Sequence, residues 1–300
     1  MLRLNEIEVR TSYLTQRSYQ AAYCDLLLKV TPENQEVALA EFGRTGEFGP
    51  YSGLSVSGID DLSFLTRFPM LLYLEVSGQS PINSRYLAGL QNLRGLYLES
   101  PGTGIDFAWF PLLEVYFGGW HSASQNLAGC QELRRLELRG FNPGSRDLEA
   151  IARMTRLESL KIVQTNLESL RGLETLEDLR YLSVAYAAKL PSLGVLTSCG
   201  TGLRELSLQN LKKIASYEPI STLRMLRRLR LTACAPMESL AWITGLENLD
   251  FFSFVDTVVT DGDLAPLLQL PKLRYAGTLD KKHYNYKCDD LNAALNEARL

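Results

Sequence analysis

The chain has 300 residues, 46% of them hydrophobic and 22% charged, with a formal net charge of −3. This balance excludes intrinsic disorder, which goes with few apolar residues and a large net charge. It also excludes the basic footprint that binding a nucleic acid requires, and no run approaches the roughly 18 apolar residues of a membrane helix.

The opening MLRLNEIEVRTSYLTQRS alternates charged and apolar residues and lacks the continuous apolar core of a secretory signal, which places the chain in the cytoplasm. Leu2, Leu4, Ile7 and Val9, then Tyr19 to Val30, predict two extended segments, or a strand and a short helix. Pro32 and Glu33 open a helical turn running through Val37 to Phe42. Residues 1–50 form an N-terminal cap, because a stack of repeats exposes its core at each end.

Residues 51–280 repeat one phrase: a leucine, two free positions, an apolar residue, one free position, another apolar residue. Ten clear copies open at Leu71, Leu93, Leu112, Leu133, Leu157, Leu179, Leu203, Leu226, Leu249 and Leu273, spaced 19 to 24 residues apart. A weaker copy lies at Gly53 to Val56, with Leu54 twenty residues before Leu74. Such a period marks a solenoid whose turns must stack to bury their apolar face. The alternation closing each phrase predicts a half-buried strand, and strands recurring this way become parallel neighbours. An apolar residue three before the leucine (Phe68, Leu90, Trp109, Met154, Leu176, Leu223, Leu246, Leu270) closes the returning turn.

Of the connectors, Ser145 to Met154 predicts a short helix with Ser145 as N-cap, and Asp263 to Leu270 a similar turn with Pro266 in its first turn. Pro101 to Gly104 and Pro191 to Gly194 are loops. Residues 281–300 make a C-terminal cap, in which Leu291, Ala294, Leu295 and Ala298 line one face of a helix starting at Asp289.

The segments LQNLRGLYL (Leu90 to Leu98), LEDLRYLSV (Leu176 to Val184) and LRMLRRLRL (Leu223 to Leu231) resemble the leucine-rich repeat family, over about three quarters of the chain. The short, variable period is closer to its bacterial and phosphatase-regulator branches. The family's turn asparagine has one counterpart here, Asn210, while Gly78, Gly119 and Gly140 take comparable places. The resemblance implies an α/β solenoid: an arc with a parallel concave sheet, short helices, 3₁₀ turns and loops on the convex side, and divergent caps. It also implies action by protein binding, without naming what is bound.

The free positions of each strand point outward. They bring together Tyr73, Tyr97 and Tyr116 with Glu75, Glu99, Glu114 and Glu137, followed by Arg135 and Arg139. Trp120 and His121 extend this patch from the rim. Rigid rings beside carboxylates suit a partner protein with a basic surface. Lys161 and Tyr181 lie mid-array, and Arg228, Arg230, Phe251, Tyr275 and Leu279 form a more apolar patch near the end. Cross-strand pairing would account for the same residues as sheet stabilisers. Arg94, Arg134, Arg180, Arg204, Arg227 and Arg274, each just after an opening leucine, form a rim stripe read as a solvated edge in preference to an anion-binding track.

Catalysis, cofactors and metals find no support. His121 and His283 stand far apart, no phosphate-cradling or nucleophile motif occurs, and Glu75, Glu99 and Glu114 fix no ligand set. The five cysteines, Cys24, Cys130, Cys199, Cys234 and Cys288, read as reduced thiols, and His283 as packing of the C-terminal cap. Arginine outnumbers lysine 22 to 9, which with the short repeats points to a bacterial source. The expected function is non-enzymatic protein binding on the concave face, as a cytosolic inhibitor or toxin-immunity protein. The alternatives are a host-directed effector and a regulatory subunit recognising an enzyme.

Overall fold

A computed structural model of the chain describes residues 27–45, 52–199 and 202–297. The segments expected at Leu2 to Val9 and at Tyr19 onward to residue 26, together with Cys24, lie outside the described residues. The chain divides into two compact units, Met1–Gln125 and Asn126–Leu300.

In the first unit, strands β1 (Leu27–Val30), β2 (Gly53–Ser57), β3 (Tyr73–Ser77), β4 (Gly95–Glu99) and β5 (Val115–Gly119) follow chain order. Each pairs in parallel with the next. The weak copy at Gly53 is thus a full strand. Leu54 and Val56, Leu74 and Val76, and Leu96 and Leu98 are buried on the inner side, each such side chain stabilising by about 1.5–3 kcal/mol. Helix α1 (Gln35–Thr45) occupies the stretch where a helical turn was expected. It buries Ala38, Leu39 and Phe42, whose ring meets Phe68 edge-on at 5.3 Å.

The fifth strand departs from the expected register by one residue. Leu113 rather than Leu112 opens its phrase: Leu113 is buried and Leu112 is 41% exposed. Leu96 pairs with Tyr116 and Leu98 with Gly118, so Tyr116 fills the leucine slot and Gly118 the next. The spacing from Leu93 becomes 20 residues, and 20 again to Leu133. Phe110, not Trp109, closes the preceding turn, since the Leu113 amide donates to the Phe110 carbonyl at 3.2 Å. A one-residue slip exchanges the faces of every side chain. Val115 and Phe117 therefore leave the core positions expected for them.

In the second unit, β6 (Arg135–Arg139), β7 (Ser159–Val163), β8 (Tyr181–Ala185), β9 (Glu205–Gln209), β10 (Arg228–Thr232), β11 (Phe251–Ser253) and β12 (Tyr275–Gly277) stack in parallel in the expected register. Just after the strands, Gly140, Gln164, Tyr186, Asn210 and Ala233 have φ between 52° and 70°. Asn210 thus serves as a left-handed turn residue, a conformation asparagine tolerates. Carbonyls at the strand ends beside these turns are bonded by other side chains. Thr165 Oγ1 donates to Phe141 O at 2.5 Å, Cys234 Sγ to Leu208 O at 3.3 Å, and Thr257 Oγ1 to Leu231 O at 2.9 Å.

The connectors are mostly single 3₁₀ turns, including Ala265–Gln269 with Pro266 in its first turn. The helix expected from Ser145 to Met154 is only a three-residue turn, Glu149–Ile151. Arg146 adopts φ 57°, and the Leu148 amide donates to Arg171 O of the next repeat instead of continuing a helix. At the C-terminus, helix α2 (Cys288–Glu297) buries Leu291 and Leu295. Cys130, Cys199, Cys234 and Cys288 are free thiols, and burial pushes Cys130 up to about 12, which makes it unreactive. Among the described residues, no helix is long and apolar enough to cross a membrane.

Candidate protein-binding face

In the first unit the register places Tyr73, Glu75, Tyr97 and Glu99 on one outward face, with Val115 and Phe117 beside them. This face is tightly packed. Tyr97 and Phe117 are buried, and Tyr97 Oη donates to Glu99 Oε2 at 2.7 Å. Gly53 makes that packing possible: a Cβ there would fall 2.6 Å from Leu27 Cδ2 and 2.7 Å from Tyr73 Cβ. Burial raises the Tyr73 hydroxyl above its ordinary value, with Glu114 adding to the rise and Arg94 opposing it.

Two expected members of this patch are elsewhere. Tyr116 points into the core, 1% exposed, its ring edge-on to Phe107 at 5.0 Å. Glu114 precedes β5 and forms an ion pair with Arg94 on the rim. The physical cause of both corrections is the register of β5. His121 is taken up by a local turn, its Nδ1 accepting from the Ala123 amide at 3.2 Å.

The second unit's face carries Arg135, Glu137, Arg139, Lys161, Tyr181, Glu205, Arg228, Arg230, Phe251 and Tyr275. Glu137 is only 2% exposed and is held by Lys161 Nζ at 3.1 Å and Arg139 Nε at 3.5 Å. Its other oxygen, Oε2, is buried without a hydrogen-bond partner. Further along, Glu205 Oε2 lies 3.9 Å from Arg230 Nη1. Burial raises the Glu205 carboxyl above its ordinary value, Arg228 and Arg230 oppose this, and Asp250 adds to it. Tyr181 is likewise pushed up by burial.

Arg230 then lies over the Phe251 ring at 4.9 Å, and Phe251 stacks on Tyr275 at 5.3 Å and 18°. Gly277 makes room for this series, since a Cβ there would meet Tyr275 Cε1 at 2.8 Å. Tyr275 and Leu279 are each 46% exposed. A cation over a ring that stacks on a half-exposed tyrosine is a contact surface of large apolar area and low conformational entropy. Sequence reasoning missed Glu205, which sits between Tyr181 and Arg228 in the strand register. Its position in the same outward column was the available signal. On this face five cations (Arg135, Arg139, Lys161, Arg228 and Arg230) stand against two carboxylates, Glu137 and Glu205. The first unit's face has Glu75 and Glu99 against Lys29.

His283 packs in the terminal turn, its Nε2 3.0 Å from Val259 O and its ring 4.7 Å from Tyr284. No group of three or more His, Cys, Asp or Glu able to hold a metal ion occurs among the described residues.

No family model matches the chain, and no curated protein does. Among solved structures it is similar to the functional domain of InlJ from Listeria monocytogenes, with TM-score 0.58 and 16% identity over 84% of this chain and 52% of that one. It is also similar to the leucine-rich repeat ectodomain of the Arabidopsis receptor kinase HAESA, in complex with an N-terminally extended IDA peptide hormone. There the TM-score is 0.53 and the identity 18%, over 72% of this chain and 40% of that one. The chain spans about half the length of the InlJ chain. These likenesses show the fold: the chain is a leucine-rich repeat solenoid.

Proposed function

We propose that the chain is a non-enzymatic module that binds another protein on its outward sheet face. The first unit's contact set is Tyr73, Glu75 and Glu99, with the buried Tyr97 holding the Glu99 carboxylate. In the second unit it is Arg135, Arg139, Lys161, Tyr181, Arg228, Arg230, Phe251 and Tyr275, with the buried Glu137 holding Lys161 and Arg139 in place. The observation carrying this reading is the Arg230–Phe251–Tyr275 series, which ends on a half-exposed ring. A sheet whose core is already sealed by its inner leucines has no structural need for such rings. The peptide held by the similar HAESA ectodomain is consistent with a binding role for the fold.

The simplest mechanism is steric cover of a partner's active site, as a cytoplasmic inhibitor or immunity protein in a bacterium. Glu75 and Glu99 suit a basic group on that partner, and the cation excess of the second unit suits carboxylates. The partner thus presents charges of both signs. Neither nucleic acid nor membrane is its target.

The test is affinity capture from the source organism with three variants: Phe251→Ala/Tyr275→Ala, Glu99→Lys, and Met225→Ala as a control outside the sheet face. The face variants lose a protein that the control keeps, and that protein's activity falls when the chain is added. Capture unchanged in both face variants overturns the proposal.

A further inference from the structure

We propose that the rim of the second unit carries a cleft for a phosphate monoester, apart from the sheet face. The rim is the column of residues just after each opening leucine, joined by main-chain hydrogen bonds. The Arg204 amide donates to Arg180 O, Arg227 to Arg204 O, Asp250 to Arg227 O and Arg274 to Asp250 O, at 2.8 to 2.9 Å. Earlier in the same column Arg134 is neutralised by Glu158 at 2.6 Å. From Arg180 that alternation stops, and Arg180, Arg204 and Arg227 succeed one another without a carboxylate.

Like charges on adjacent strands repel, and the stack does little to relieve it. Only Arg180 has a partner, turning back to the Glu177 carbonyl at 3.1 Å and the Asp178 carboxylate at 3.9 Å. The guanidinium groups of Arg204, Arg227 and Arg274 have no hydrogen bond or ion pair among the described residues.

Beside them a cleft of about 400 Å³ is lined by Arg227, Asn248, Asp250, Pro271, Lys272 and Arg274. Asn248 is a strut within it. Its Nδ2 donates to Arg224 O at 2.9 Å, and its Oδ1 accepts from Lys272 Nζ at 2.7 Å. The ammonium is thereby fixed in the wall with donors to spare, since it carries three and uses one. Three cations against Asp250 leave the cleft with two uncompensated positive charges. A phosphate monoester carries about −1.5 to −2 at neutral pH and offers three acceptor oxygens to arginine forks. A carboxylate would leave one of those charges unbalanced.

The probe is phenyl phosphate, titrated into the full chain at neutral pH and low salt and followed by ³¹P NMR and calorimetry. Saturable binding is expected, at least about tenfold weaker in Arg227→Gln/Arg274→Gln, which is about 1.4 kcal/mol. Arg134→Gln, on the same rim but at a neutralised turn, keeps the affinity. Asp250→Asn, which removes the one negative charge of the cleft, tightens it. Phenylacetate binds at least about tenfold more weakly. These substitutions fall on exposed or half-buried rim positions, and an unchanged melting curve verifies that each variant is folded. A blocked phosphoserine tripeptide separates the sources. Tighter binding than phenyl phosphate marks a phosphorylated protein side chain, and equal binding a free metabolite. No saturable binding, equal binding of phenylacetate, or equal loss in Arg134→Gln overturns the proposal.

Discussion

Gly118 has no side chain because Tyr116 occupies its space: a Cβ on Gly118 would lie 2.8 Å from Tyr116 Cζ and 2.9 Å from the Leu98 carbonyl. The pair replaces the two apolar residues that every other clear repeat up to β11 places at these positions, exchanging one large and one absent side chain for two of medium size. Gly118→Ala is therefore expected to destabilise by about 1–3 kcal/mol through overpacking. Tyr116→Leu/Gly118→Ala recovers part of that loss, and urea denaturation of this double variant and of its two single variants measures the coupling. Purely additive effects would refute the exchange.

This pair also marks where the fold stopped being legible. Leucines with period-2 partners disclosed the stack, the extra strand at Gly53 and the terminal helix, because burial demands them at fixed spacing. At Leu112–Leu113 two leucines compete, and a pattern counting only apolar residues prefers Val115 and Phe117 to Tyr116 and Gly118. The choice depends on the volumes of the pair, which no single position reveals. The outward columns were legible wherever the register was, and so Tyr73, Tyr97, Arg230, Phe251 and Tyr275 fall where expected. The burial of Glu137 and Glu205 was not, since it depends on neighbouring side chains folding over them.

Thr257 supports a turn from within. Its hydroxyl donates to Leu231 O at 2.9 Å and accepts from the Cys234 amide at 3.0 Å. Thr257→Val keeps the shape and strands both backbone groups, at a cost of about 1–3 kcal/mol. Thr257→Ser retains the bonds and loses less. Thermal melts of the two variants compare them directly, and equal losses would assign the role to the methyl group instead.

Glu205 gives a pH dependence with a definite sign. Burial raises its carboxyl in the folded state above its ordinary value, despite Arg228 and Arg230. The folded chain therefore holds this proton more tightly than the unfolded chain. Its contribution is fully present below the unfolded value and is lost as pH rises through the folded one. Glu205→Gln is expected to melt higher than the parent at pH 7, the difference closing as pH falls below the ordinary carboxylate range. A melting difference constant across that range would show that burial does not govern this group.

Asn292 caps the last strand. Its Oδ1 accepts from the Ala276 amide at 3.0 Å and its Nδ2 donates to the Ala276 carbonyl at 2.8 Å. One side-chain amide thus stands in for the strand that a further repeat would supply. An uncovered edge strand is a template for pairing with another chain. Asn292→Ala is expected to cost about 1–3 kcal/mol, because it leaves two strand groups without their partner. It also speeds hydrogen exchange at the Ala276 amide and produces concentration-dependent association in sedimentation. Asn292→Asp keeps the acceptor for that amide and loses the donor, so its exchange stays slow while stability falls. Fast exchange in both variants would mean that the packing of α2, rather than the Asn292 amide, protects the edge.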